Sequence, residues 1–227
     1  MARILTQVLG VMSGTIGDIV IRRRAGRSYA SARPSGYTVR TDAATIARKV
    51  QFKTAVEIAK TINSIPILKA VWPADPTKLT SKFSKMVSVN YKLVKASDLT
   101  GQPTLTPELG FELAAPLVTL AADSVNFTAT SLGVFLGIDT SIEKFFSIAG
   151  IIVMKDPADE LSKDIEVLKF KTNQQNLDLI TDVSVEIPLS VIDQQILAKY
   201  TVKRAFFAFL TLDDNGNVVK HSATYGS

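Results

Sequence analysis

The chain has 227 residues, no cysteine, a single histidine (His221), a net charge of +5 and 46% apolar residues. Disulfides, thiolate chemistry, cysteine-ligated zinc and iron–sulfur centres are therefore excluded, and a zinc site, which usually takes several histidine or cysteine ligands, is not expected. A chain of this length and apolar content buries a core without such staples.

The charge is uneven. Residues 1–53 carry Arg3, Arg22, Arg23, Arg24, Arg27, Arg33, Arg40, Arg48, Lys49 and Lys53 against Asp18 and Asp42, so this part is +8 and the remaining 174 residues are −3. That asymmetry gives the N-terminal part a role of its own, against nucleic acid or against acidic faces of sister subunits. Residues 1–14 are a poor signal-peptide core, because Thr6, Gln7 and Gly10 interrupt Leu5, Val8 and Leu9. No apolar run approaches the roughly 20 residues that cross a bilayer as a helix. Localisation is left open by these features, with a virion or extracellular assembly favoured.

In chain order, Ile16 and Ile19–Ile21 are β formers that lead into Arg22–Arg24, Ala25-Gly26 and Arg27–Ala30, which predicts a basic β-hairpin turning at Gly26. Ser31–Gly36 reads as a connector. A first helix follows Thr41 or Asp42 as cap, carries Ile46, Val50, Ala55, Ile58, Ile62 and Ile65 at helical spacing, and ends at Pro66. Val71–Pro76 predicts a rigid turn. Phe83, Met86, Val87, Tyr91 and Val94 predict a second helix over 78–97, and Ala96–Pro107 reads as a linker.

Beyond it a period of two prevails. Val125, Phe127 and Ala129, then Val183, Val185, Ile187 and Leu189, alternate with polar residues; 145–154, 165–171, 204–212 and 218–225 are further strands, the last two joined through Asn215-Gly216. About seven strands suit an Ig-like sandwich. The expected fold is α+β: an N-terminal β-hairpin plus two helices in 1–97, then an antiparallel Ig-like β-sandwich in 109–227.

Few residues suggest chemistry. His221 and Ser222 are neighbours on a strand and point to opposite faces, so they do not form a nucleophile–base pair. Gly10, Gly14 and Gly17 lack the spacing of a phosphate-binding loop. Asp213–Asn217 lacks the glutamate of a calcium loop and reads as a turn. Asp156, Asp159, Glu160, Asp164 and Glu166 read as a solvated acidic loop, with a cation site or a contact for the arginine hairpin of a neighbouring subunit as the functional alternatives. No catalytic, metal-binding or cofactor-binding residue is expected, and the chain is not expected to be an enzyme. The candidate assembly or phosphate contacts are Arg22, Arg23, Arg24, Arg27, Tyr29 and Arg33, with Tyr37 as a further stacking surface.

Met1-Ala2-Arg3, the segment Gly10-x-x-Ser13-Gly14-x-x-Gly17-Asp18-x-Val20, the basic ribbon ending near Pro34, and Ala47-Arg48-x-x-x-Phe52-Lys53-x-Ala55 together resemble an uncharacterised Bacteroidota family of unknown function. Asn90 in the second helix and Ser222-x-x-Tyr225-Gly226 fit as well. The family's tryptophan–lysine pair in the ribbon and its Pro-x-Thr-x-x-Gln entry to the first helix are missing here. The resemblance implies an N-terminal hairpin–helix unit followed by an Ig-like sandwich, and no catalytic residue.

The expected function is that of a non-enzymatic structural subunit. It would self-assemble through its basic N-terminal arm into a homo-oligomer, a phage-type virion or an extracellular appendage. The alternatives are a nucleic-acid-binding protein using the arginine-rich hairpin, or a surface carbohydrate- or protein-binding module.

Overall fold

The computed structural model describes residues 2–4, 13–24, 27–33, 36, 40–74, 81–95, 102–107, 110–134 and 137–227. Gly10, the Ala25-Gly26 turn, Pro34, Tyr37, residues 75–80 and the 96–101 part of the expected linker lie outside them. The chain divides into two compact units, 1–45 and 46–227.

The first unit is a sheet of four short antiparallel strands: β1 (Ala2–Ile4), β2 (Gly14–Ile16), β3 (Ile19–Arg24) and β4 (Arg27–Ala32), in the order β1-β4-β3-β2. The expected β3–β4 hairpin is its centre. A second tight turn joins β2 to β3 through Gly17, whose φ of +57° is left-handed, and Asp18, whose carbonyl accepts from the Arg33 N–H at 2.6 Å. A two-residue loop with positive φ matches the twist of paired strands.

The second unit begins within α1 (Ala43–Ser64), whose first turn is capped by the Asp42 carboxylate accepting from Thr45 N at 3.0 Å. Pro66 does more than end that helix. It occupies the first turn of α2 (Pro66–Val71), where a missing N–H costs nothing. Next comes α3 (Lys82–Leu93), capped by Ser81. Then come β5 (Leu117–Leu120), β6 (Ser124–Ala129), β7 (Phe145–Pro157), β8 (Ile165–Lys171), β9 (Gln175–Asn176) and β10 (Val183–Pro188). The chain closes with α4 (Val191–Ala198), β11 (Tyr200–Leu212), β12 (Val218–His221) and β13 (Tyr225–Gly226).

One sheet has the order β10-β6-β5 and the other β12-β11-β7-β8, with β9 on β7 and β13 on β11. Apart from the two-residue β9 and β13, two strands in the first sheet, two in the second, a return to the first and then two more in the second is the Greek-key path of an Ig-like sandwich.

The two long strands β7 and β11 pair from Tyr200↔Pro157 to Leu212↔Phe145. One face of the pair, with Ile148, Ile152, Ala205, Phe207 and Phe209, packs on Val125, Phe127, Val185 and Ile187 of the facing sheet. The other face, with Ala149, Ile151, Val153, Phe206, Ala208 and Leu210, is covered by Ile58, Ile62, Leu68, Trp72 and Met86 of the helices and the turn after them. A strand buried on both faces reads as a near-continuous apolar run, and FSIAGIIVM and AFFAFLTL are such runs, broken only by Ser147 and Thr211, whose hydroxyls are hydrogen-bonded to Thr172 O and Lys220 N.

The helices therefore belong with the sandwich as a third layer. The division of the chain falls at 45/46, where the sequence reading placed the helices with the hairpin in 1–97. The expected linker also differs, because Leu105 and Thr106 are buried. Asn90 holds this segment: its Oδ1 accepts from Thr104 N at 2.9 Å and its Nδ2 donates to Thr104 O at 3.1 Å.

Candidate functional site

Strand register places the candidate residues of the first unit. Arg22 is opposite Tyr29, Arg23 opposite Ser28 and position 24 opposite Arg27, while position 3 on β1 is opposite Tyr29 from the other side. Partners across a ladder share a face and successive residues alternate. Arg22, Arg27 and Tyr29 therefore lie on one face, in a row with positions 3 and 24. Arg23 lies on the other, with Ile19, Ile21 and Ile16. Arg22, Arg23, Arg27 and Arg33 are exposed, and Tyr29 is half-buried. Arg33 follows the end of β4 and is fixed through its backbone to Asp18.

Two further features of this sheet emerge only from the pairing. β2 pairs with β3 no further than Ile21, and β1 pairs with β4 no further than Ser28. At Arg22 and Arg23 the sheet is therefore three strands wide, β3 being paired with Tyr29 and Ser28 of β4, which β1 flanks in turn; among the described pairs only 24↔27 has no flanking strand. At the base, the apolar side chains are not all covered: Ile21 is buried, but Ile16 is 59% and Ile19 51% exposed. The unit thus has an apolar base and a basic end.

The other candidates are used structurally. The Ser222 hydroxyl accepts from Phe209 N at 2.9 Å and donates to Ala223 O at 2.7 Å, inside the sandwich. His221 lies beside Gly110, Phe111, Val219 and Lys220 around an open hollow of about 450 Å³. In the acidic loop, Lys163 pairs with Glu166 at 2.9 Å and Lys155 with Asp156 at 3.7 Å, and Asp159 accepts from Ser162 N at 2.6 Å. The Ser162 hydroxyl and backbone hold the Asp159 carboxyl below its ordinary range. Asp213 closes the β11–β12 turn by accepting from the backbone N–H of Asn215 and Asn217. Gly216 there has a φ of +78°. Among the described residues no group of three or more acidic or histidine side chains is placed to hold a metal ion, and no helix is long and apolar enough to cross a membrane.

One pair was not foreseen. Glu143, on the loop before β7, is buried, and its Oε1 accepts from Lys220 Nζ of β12 at 2.8 Å and from Asp139 N at 2.9 Å. Lys220 also donates to Gly137 O. Burial pushes the Glu143 carboxyl up, but the hydrogen bonds from Lys220, from the Thr211 side chain and from the Asp139 backbone outweigh it and leave its pKa lowered. A lone glutamate before an apolar strand gives no hint of this in the sequence.

Compared with family models, curated proteins and solved structures, the chain matches none of them.

Proposed function

We propose that this chain is a non-enzymatic structural subunit that self-assembles into a larger particle or filament, of the phage-virion or extracellular-appendage kind, through its N-terminal sheet. The observation that carries this reading is the exposure of Ile16 and Ile19 at the base of a sheet face on which Ile21 is buried. A sheet with one apolar side is stable when a second layer covers that side. A second copy offering the same side would cover both at once, in the self-complementary manner of a two-fold contact.

The test is the mass of the full-length protein in solution by light scattering, against the Ile16→Asp/Ile19→Asp double variant. The expected result is a defined multimer for the parent and a smaller species for the variant, with unchanged secondary structure by circular dichroism. A parent that stays monomeric at every concentration would overturn the proposal.

A further inference from the structure

We propose a second contact between copies, which rests on the reading that the chain self-assembles: Leu161 of one copy enters the hollow between the α1–α2 joint and the end of β8 of another. A single two-fold contact through the N-terminal sheets closes a dimer and stops there, so a particle or filament needs a further surface. The hollow measures about 300 Å³ and is lined by Ser64, Ile65, Pro66, Lys169, Phe170 and Lys171. Register fixes the side on which its lysines stand. Lys169 is opposite Ile151 and Lys171 opposite Ala149, and both of those face the helical layer, so the lysines do too. β8 is the last strand of its sheet on that side. Both lysines are exposed, and neither side chain has an ion pair or hydrogen bond among the described residues. The hollow therefore combines apolar Ile65 and Pro66 with two unpaired ammonium groups.

Leu161 is the most exposed large apolar side chain among the described residues, at 100%. It lies in the acidic loop between β7 and β8, where most of the carboxylates are engaged. Asp156 meets Lys155, Asp159 accepts from Ser162, Asp164 meets Lys53 and Glu166 meets Lys163. Glu160, the neighbour of Leu161, is exposed and has no side-chain partner among the described residues. An apolar side chain beside a free carboxylate thus matches an apolar hollow beside free ammonium groups. Ile180, 87% exposed, lacks this second half: Asp178 accepts from Thr181, and Asp182 from Ser131 N. The match is not made within one chain, because the seven residues of β8 run between the two features and hold them roughly 15–20 Å apart. A second copy lying antiparallel along β8 makes it twice, each Leu161 in the other's hollow. The contact is apolar at its centre and ionic at its rim.

The test is the mass of the full-length chain in solution over a range of concentration, by light scattering. Leu161→Asp is expected to raise the concentration at which this contact half-dissociates by about tenfold or more, with circular dichroism unchanged. Glu160→Lys and Lys169→Glu/Lys171→Glu are each expected to weaken it by setting like charges face to face. An equimolar mixture of those two variants is expected to regain the parent's mass, because every contact between unlike copies is again of opposite charge. A change that only perturbs the fold gives no such recovery. Ile16→Asp/Ile19→Asp leaves this contact in place and is expected to stop at a dimer. The two contacts therefore fail separately. Mass lost in Ile16→Asp/Ile19→Asp and kept in Leu161→Asp would overturn this contact and leave the N-terminal one standing, and the reverse result would overturn the N-terminal one alone. A mixture of the charge variants that regains nothing would also overturn it, and a parent that stays monomeric would overturn both.

Discussion

Lys220 Nζ lies 2.8 Å from Glu143 Oε1, joining a half-exposed ammonium on β12 to a carboxylate that is wholly buried. The pair fixes the loop at 137–143 to the edge of the sandwich. Removing the lysine leaves a buried charge whose main compensation is gone, a change that costs about 1–3 kcal/mol or more for a charged group. Lys220→Met is expected to destabilise the protein by about that much in urea unfolding, and Glu143→Gln by less, since the amide is neutral.

The same pair sets an acid response. The Glu143 pKa is lowered in the folded protein, so the unfolded chain takes up the proton first as pH falls. The stability it contributes is present above the ordinary carboxylate value of 4.5 and is lost as pH falls through the lowered value. Urea midpoints measured across that window should fall for the parent, and fall less for Glu143→Gln. Equal slopes in the two proteins would show that other carboxylates dominate acid unfolding.

Asn90 is the buried polar group on which the third layer depends. Its amide bonds to Thr104 N, Thr104 O and Met86 O, all within 3.1 Å. Asn90→Ala would leave the Thr104 groups unpaired beneath α3, and about 2–3 kcal/mol of stability is expected to go. Hydrogen exchange should show protection lost first at Thr104. If exchange rises uniformly instead, the amide is not a local tether.

Much of this fold was legible in the sequence, for particular reasons. The strands at 125–129 and 183–188 alternate strictly, and Asn215-Gly216 announces its turn by chemistry alone. The longest strands were found by their apolar runs. A run shows that both faces are covered, but not that Ile58, Ile62 and Trp72 cover one of them. Helical spacing gives a face and leaves its partner unnamed. Pro66 was read as a stop because proline ends and begins helices with the same residue. The short β5 and α4 passed unseen: four and eight residues are too few to show a period. At the candidate interface, the arginines and Tyr29 were legible as residue types. Which of them share a face depends on the register of β3 and β4, and the short ladders of β1 and β2 gave no signal from which to count it.

Trp72 is the single tryptophan of the chain, is fully buried, and donates from Nε1 to Leu105 O at 2.8 Å. It reports the joint between the helices, the 102–107 segment and the sandwich. Its emission is expected to be blue-shifted in the native protein and to move to the red in the same transition as the loss of β signal. Trp72→Phe keeps an aromatic there but leaves the Leu105 carbonyl unpaired and a gap beside it, at a cost of about 2–4 kcal/mol. Emission that reddens well before the β signal is lost would mean that the helical layer opens on its own.

Gly150 sits at the middle of β7, opposite Phe170 of β8 and Phe207 of β11. A Cβ built there would lie 2.3 Å from Phe170 Cζ and 2.3 Å from Phe206 O. The first contact is a ring that could turn aside, but the second is backbone of the central ladder and cannot move without breaking pairing. Gly150→Ala is therefore expected to destabilise the protein by about 1–3 kcal/mol or more, although alanine is otherwise better suited to a strand than glycine. Pairing the change with Phe170→Leu separates the two contacts. Recovery of most of the loss would assign it to the ring, and a persistent loss to the Phe206 carbonyl. Unfolding midpoints of the two variants, followed by circular dichroism at one urea gradient, decide it.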